Sequence, residues 1–175
     1  MDQKISLTVE QWVALQEQSP DGTGQIPVWF QVTGGSMLPF IRPFRDNVML
    51  VAVAAETLKV GDIVLFPGKF AGGDYCLHRL YQIDGDRVQT FGDGNLRPDH
   101  WQPKRQILGK ALLIKRGRLT IDCESPRWQK VFRLWNALLP LRPVLLLPFR
   151  VTNFAGPKMK SRITNSPRQA EGLGN

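Results

Sequence analysis

The chain has few cysteines and no long apolar run. Its 175 residues include two cysteines, Cys76 and Cys123, and neither stands in the spacing of a metal site. We therefore expect two buried free thiols, as in a reducing compartment. No 18 consecutive apolar residues occur without a charge, so no transmembrane helix is expected. The N-terminal residues have no positive patch before an apolar run, so no cleavable signal peptide is expected either.

Acidic residues are scarce in the second part of the chain. Residues 101–175 contain 15 Lys and Arg against 3 Asp and Glu, whereas residues 1–100 contain 8 against 12. A one-sided basic region is typical of proteins that bind nucleic acid or an anionic membrane surface. Only Phe154 interleaves with the basic residues of 150–168, which disfavours base stacking and hence nucleic acid. We expect a cytoplasmic protein, peripheral on the inner face of the cell membrane.

Short β-prone runs separated by turn residues fill the middle of the chain. Two glycine-containing turns, at 83–88 and 115–119, have the pattern of tight hairpins. Many short strands of this kind predict a mainly β domain, built as an antiparallel β barrel or sandwich. The predicted strands cover residues 28–32, 47–53, 62–66, 75–83, 87–91 and 107–121.

The sequence changes character along its length and predicts four segments. Residues 1–24 form an N-terminal helix and loop, with Thr8 as the helix N-cap. Residues 25–123 form the β domain. Residues 124–149 form an amphipathic helix followed by a segment rich in proline and leucine, and residues 150–175 form a flexible basic tail.

The C-terminal helix is predicted to begin after Ser125, with Pro126 as its first residue, and to end before Pro140. The prolines of 140–149 exclude one regular helix there. The helix is too short to cross a hydrocarbon core of roughly 30 Å. Two roles stay open: it lies in the interface of an anionic membrane, or it packs on the β domain. Its apolar stripe comprises Val131, Leu134, Trp135 and Leu138, with Phe132 beside it.

The segment TGGSMLPFI, residues 33–41, is the strongest candidate for a nucleophile. Two glycines before Ser36 allow a tight turn and the close approach of a substrate. They also leave the Ser36 hydroxyl open and its backbone N–H available for a developing oxyanion. A Gly-Gly-Ser turn between two strands is the structural alternative.

A serine nucleophile needs a base, and the base needs an orienting carboxylate. His78, in the strand-like segment CLHRL, can act as the base, and Asp93 or Asp99, in FGDGNLRPD, can orient it. Each has an ordinary structural alternative, a core histidine or a turn-capping aspartate. His100 is a weaker rival for the base.

Five segments in order resemble the conserved boxes of the type I signal peptidases and the LexA-type self-cleaving repressors. They are GGSMLPFI, GDIVLF, LHRL, FGDGNLRPD and ILGK, between residues 32 and 113. The resemblance places the nucleophile on Ser36 and the base on His78, where most bacterial members have lysine. Histidine there resembles the branch found in the endoplasmic reticulum, archaea and some Gram-positive bacteria.

The six-residue offset between Asp93 and Asp99 also fits the histidine-type branch. We favour Asp99 as the orienting acid and expect Asp93 to hold the loop or assist. Gly34 stands where some relatives have a hydroxyl residue, so the oxyanion would depend on the backbone N–H groups of Ser36 and Gly35. The triad predicts Ser36 Oγ about 2.6–3.5 Å from a ring nitrogen of His78, with longer distances allowed in the substrate-free state.

The resemblance implies a LexA/signal-peptidase-like fold and a hydrolase, a serine endopeptidase without metal or cofactor. Its expected substrate is an extended polypeptide, such as a precursor carrying a leader. Most signal peptidases carry an N-terminal membrane anchor, which is not evident here, so secretory signal-peptide cleavage is not expected. A LexA-like self-cleaving regulator needs a helix-turn-helix, for which too few residues precede the nucleophile box. A non-catalytic binding module on the same fold is the other alternative.

Overall fold

Nine β-strands and three α-helices form most of the part of the chain that the computed structural model describes, residues 8–17, 26–70, 73–149 and 164–165. The helices are α1 (Val9–Glu17), α2 (Pro126–Ala137) and α3 (Arg142–Leu145). The strands are β1 (Val28–Gln31), β2 (Asp46–Val51), β3 (Ile63–Phe70), β4 (Gly73–Asp84), β5 (Arg87–Phe91), β6 (Gln102–Pro103), β7 (Gly109–Arg116), β8 (Leu119–Asp122) and β9 (Thr164–Asn165).

The strands form one antiparallel sheet in the order β6-β5-β4-β3-β7-β2-β1-β9, with β8 paired to β7. The mainly β, antiparallel prediction is confirmed. A barrel is wrong, because within the described residues the end strands β6 and β9 do not pair with each other. Each end strand has only two residues, too few to carry a ladder around a closed sheet. The β3–β7 junction is also short, with the register pairs Val64–Lys110 and Leu65–Gly109.

Both predicted hairpins form. Asp84 pairs with Arg87 across the β4–β5 turn, and Arg116 pairs with Leu119 across the β7–β8 turn. The first turn residue is Gly85 or Gly117, with φ of 52° and 58°. A positive φ at this position is a property of the primed turns, whose twist matches that of the flanking strands, and glycine adopts it without strain. The local sequence therefore determines the register of these two strand pairs.

Helix α1 closes one side of the main core. Thr8 is its N-cap, as predicted: the Gln11 N–H donates to Thr8 Oγ1 at 3.2 Å, and the Thr8 N–H donates to Gln11 Oε1 at 2.8 Å. This reciprocal pair is a capping box. Trp12 is fully buried against the edge of the Phe30 ring, and its Nε1 donates to the Ile26 carbonyl at 3.0 Å.

Helix α2 packs on the β domain through a face that includes Trp135 of the predicted stripe but not Val131 or Leu134. Pro126 is in its first turn, but the Ser125 hydroxyl donates to the Asp122 carbonyl and does not cap the helix. Phe132 is buried, whereas Val131 is 41% and Leu134 61% exposed. Aromatic residues one turn apart therefore dock the helix, and the aliphatic residues of the stripe face outward.

The segment after α2 is irregular, as its prolines predict. A 3₁₀ turn, Leu139–Leu141, leads into the four-residue α3. Of the predicted basic tail, Thr164–Asn165 pairs with β1 as β9. The rest of 150–175, with 1–7 and 18–25 of the N-terminal segment, lies outside the described residues. In the part that is described, no helix is long and apolar enough to cross a membrane.

Candidate active site

The loop after β1 carries Ser36 and rests directly on the loop after β5. The Gly94 N–H donates to the Ser36 carbonyl oxygen at 2.7 Å. A Cβ added at Gly92 would lie 2.7 Å from that oxygen, and one added at Gly94 would lie 3.0 Å from the Gly35 carbonyl oxygen. Only glycine allows backbone to approach backbone this closely. The FGDGN box therefore positions the GGSM box.

Ser36 is half-buried and Gly35 is exposed. Within the described part of the chain, neither N–H donates to another backbone group. Both amides can therefore receive an oxyanion without breaking an internal hydrogen bond. Among the same residues the Ser36 hydroxyl has no hydrogen bond, so the contact with His78 that the triad predicts is not formed.

His78 and Asp99 meet in a buried pair. His78 is 3% exposed in the middle of β4, and its Nδ1 lies 2.6 Å from Asp99 Oδ2. The Thr90 hydroxyl donates to the same carboxylate oxygen at 2.6 Å, and the Asp99 N–H donates to the Thr90 carbonyl at 2.8 Å. A carboxylate at Nδ1 keeps the proton of the neutral ring on that atom and directs Nε2 toward a reacting group.

The other ring nitrogen of His78 contacts a thiol. Nε2 lies 3.3 Å from Cys76 Sγ. The Phe66 ring packs edge-on against the imidazole, with the two ring centroids 5.9 Å apart. Burial lowers the pKa of His78, but hydrogen bonds to Asp99 and Cys76 and their charges raise it more, to about 9. At neutral pH the ring is therefore protonated at rest, and it must lose this proton before it can act as a base.

Asp93 belongs to a different pair. Its carboxylate receives Arg79 Nε at 2.9 Å and Nη2 at 2.7 Å, and both residues are 1% exposed or less. Arg79 Nη1 donates to the Gly61 carbonyl at 2.8 Å. This bidentate pair fixes the loop below Ser36 and uses both carboxylate oxygens of Asp93. Of the two candidate aspartates, it is Asp99 that contacts His78.

The C-terminal helices hold the other side of that loop. Trp135 Nε1 donates to the Asp93 carbonyl at 3.2 Å, and Arg142 Nη1 to the Gly92 carbonyl at 3.4 Å. The guanidinium carbon of Arg79 lies 3.8 Å from the centroid of the Phe132 ring. Cation–π contacts of this kind stabilise a desolvated guanidinium. Helix α2 is thus part of the support of the site.

Sequence reasoning missed the contacts of Cys76 and Thr90. Cys76 stands two residues before His78 in a strand, and alternation places such side chains on the same face, so this signal was present. The Thr90 contact depends on how the β5–β6 loop folds back, which no local pattern shows. His100, the rival base, is exposed, and no contact joins it to the pair among the described residues.

No family model, no curated protein and no solved structure matches this chain. Within the described ranges, no three His, Cys, Asp or Glu side chains are grouped so that they could hold a metal ion. The function is therefore inferred from the residues themselves and from their geometry.

Proposed function

We propose that the chain is a serine endopeptidase of the signal-peptidase-like superfamily, with Ser36 as nucleophile, His78 as general base and Asp99 as orienting acid. The observation that carries the proposal is the buried 2.6 Å contact between His78 Nδ1 and Asp99 Oδ2. A histidine and a carboxylate so paired are the part of a catalytic triad that activates a hydroxyl. The glycine-lined loop bearing Ser36 lies against the loop that leads to Asp99.

The reaction follows from the roles of these groups. Neutral His78 takes the Ser36 proton at Nε2 while Oγ attacks the substrate carbonyl, and the N–H groups of Ser36 and Gly35 hold the oxyanion. The imidazolium then gives its proton to the leaving amine, which breaks the peptide bond. Water, activated by the same nitrogen, hydrolyses the acyl-enzyme. For this cycle, Ser36 Oγ must come closer to Nε2 than it lies at rest.

The proposed substrate is an extended polypeptide, a precursor with small residues beside the cut. An extended chain binds a sheet edge through backbone hydrogen bonds, while shallow pockets select side chains.

The test is cleavage of a proteome-derived peptide library, with new termini identified by mass spectrometry. The wild type should produce a defined set of termini, and Ser36→Ala and His78→Ala should lose it. Ser125→Ala, which removes a serine hydroxyl outside the site, is the matched control and should retain it. Full activity in Ser36→Ala would refute the proposal, and loss in Cys76→Ala alone would move the nucleophile to that thiol.

Incubation of the chain alone tests the LexA-like alternative. A self-cleaving regulator would cut its own chain at a rate that does not depend on protein concentration. The proposed endopeptidase should instead stay intact and cut peptides in the library. An intact chain that produces no new termini in the library would support the alternative of a non-catalytic binding module.

We also propose that the outer face of the α2–α3 segment binds an anionic membrane surface. This face is apolar and exposed: Leu134 is 61%, Val144 65% and Leu147 54% accessible. Exposed basic residues border it on α2, and each contributes about 1 kcal/mol near an anionic surface. They are Arg127, Lys130 and Arg133. An amphipathic segment of this composition lies in the interface without spanning the bilayer.

Co-sedimentation of the full chain with liposomes tests the membrane proposal. Binding should require anionic lipid, weaken with salt, and fall in the double variant Leu134→Glu, Leu147→Glu. Leu119→Glu, at a residue 51% exposed on the β7–β8 hairpin, is the matched control and should bind as the wild type does. Equal binding to neutral liposomes, or equal loss in the control, would contradict it.

A further inference from the structure

Cys76 belongs to the site, but the proposed reaction gives it no role. Its Sγ lies 3.3 Å from His78 Nε2, and His78 Nδ1 lies 2.6 Å from Asp99 Oδ2. A thiol, an imidazole and a carboxylate therefore form one continuous chain of hydrogen bonds. This order of groups allows the imidazole to take the thiol proton while the carboxylate stabilises the cation.

The second cysteine has the opposite environment. Cys123 is 4% exposed, and burial raises the pKa of its thiol to about 12. A buried thiol without a nearby base is inert toward electrophiles. Cys76 is partly exposed and has the His78 ring beside it. The chain thus contains a candidate reactive thiol and its own internal control.

We propose that Cys76 is a modification site that forms mixed disulfides with low-molecular-weight disulfides, and that this modification switches the site off. In the reactive form the proton of Cys76 lies on His78 Nε2, and the thiolate beside this imidazolium attacks one sulfur of the reagent. The reagent S–S bond breaks, a new S–S bond to Cys76 forms, and the departing thiolate takes the proton from the imidazolium. Cys76 is oxidised, one half of the reagent is reduced to a thiol, and no other reactant is needed.

The position of Cys76 explains how its modification would inactivate the site. The proposed peptidase requires Ser36 Oγ to approach the same Nε2 atom that Cys76 Sγ contacts. A group attached to Sγ occupies the space next to that atom and excludes both the Ser36 hydroxyl and the substrate. The switching step rests on the proposed function, whereas the reactivity of Cys76 does not.

The first measurement concerns reactivity alone. The full chain is treated at pH 7 with an aromatic disulfide that releases a coloured thiol, and the modified peptide is identified by mass spectrometry. Cys76 should be labelled and Cys123 should not. Because the thiolate fraction depends on the imidazole, His78→Ala should slow labelling about tenfold or more. His100→Ala, which removes an exposed histidine outside the pair, should label at the wild-type rate.

Preferential labelling of Cys123, or an unchanged rate in His78→Ala, would overturn the proposal whether or not the chain is a peptidase. The second measurement is the ratio of cleavage after and before treatment. It should fall close to zero in the wild type, return with a reducing thiol, and stay near one in Cys76→Ala. Full cleavage by protein shown to be modified at Cys76 would overturn the switch and leave the peptidase proposal standing.

Discussion

His78 and Arg79 are consecutive residues of β4, yet each belongs to a different kind of buried pair. His78 faces Asp99 through one nitrogen at 2.6 Å and keeps its other nitrogen for a second group. Arg79 gives two nitrogens to Asp93 and a third to the Gly61 carbonyl. The first pair changes protonation near pH 9, whereas a guanidinium stays charged. Strand alternation thus separates a chemical pair from a structural pair.

The largest effect is expected from a variant that disrupts the His78–Asp99 pair and still folds. In Asp99→Asn the amide can no longer hold the Nδ1–H tautomer, so cleavage should fall about 10³–10⁴-fold. The midpoint of urea unfolding should also fall at neutral pH, because the protonated ring loses the carboxylate that raises its pKa; circular dichroism without urea checks that the variant is folded where cleavage is measured. The assignment of Asp99 is wrong if Asp99→Asn cleaves at the wild-type rate.

The next largest effect, on the free energy of unfolding, is expected from a variant that disrupts the Arg79–Asp93 pair. Asp93→Ala leaves the Arg79 charge buried without a partner and should lower the free energy of unfolding by about 3–5 kcal/mol. Glu124→Ala, which removes the exposed partner of Lys110, should cost less than about 1 kcal/mol. Urea unfolding of both variants measures the difference, and equal losses would show that the Arg79–Asp93 pair does not hold the loop.

The pH dependence of stability and of cleavage also distinguishes the two pairs. Because the pKa of His78 rises from 6.5 to about 9 in the folded chain, its protonated form stabilises the fold. That contribution is complete below pH 6.5 and disappears as the pH rises through about 9, a loss of about 3 kcal/mol. Cleavage should rise over the same range as the base becomes neutral. Urea midpoints from pH 6 to 10 should show the decline in the wild type and not in His78→Ala.

The pH at which cleavage rises should be lower in Cys76→Ala than in the wild type. Contacts with Cys76 help to raise the pKa of His78, so their removal should move the rise in cleavage to lower pH. The measurement is the pH profile of cleavage for the variant and the wild type. Identical profiles would mean that the thiol has no influence on the base.

The smallest expected effect concerns the contact between the two loops. A Cβ at Gly94 would lie 3.0–3.2 Å from three carbonyl oxygens of the Ser36 loop, so that loop must shift by a few tenths of an ångström. Gly94→Ala should therefore lower kcat about tenfold. Gly85→Asn, in open space at a positive φ that asparagine tolerates, should have wild-type activity. Equal kcat in the two variants would show that the loops are not coupled.

The sequence predicted the elements whose geometry is local. The hairpin at Gly85, the Thr8 cap and the α2 start at Pro126 each depend on residues within one turn of one another, and all three form. The closure of the sheet was predicted less well. It depends on pairings between distant strands, such as β2 with β7, and no local pattern determines those.

The candidate site divides in the same way. The contact of Cys76 with His78 was missed although their spacing in a strand indicates it, and it was the resemblance that favoured Asp99 over Asp93 as partner. Asp93 was expected to hold the loop or assist, but its partner could not be read from spacing, because Arg79 is distinguished from other arginines only by burial. The docking face of α2 was predicted only in part, since aromatic and aliphatic stripes are equally apolar in sequence and only the surface they pack on selects between them.

The hydrogen bonds from Trp135 and Arg142 to the loop at Gly92 and Asp93 define how far the chain can be shortened. A version ending after β8 would keep the strand that bears His78 and the β5–β6 loop that bears Asp99. It would also expose the Arg79 guanidinium face that Phe132 covers and release the carbonyls below Ser36. The smallest unit that keeps the site in order therefore extends past the strands to Arg142. A ligand or membrane that displaced α2 would break these three contacts and would thereby change the position of the Ser36 loop.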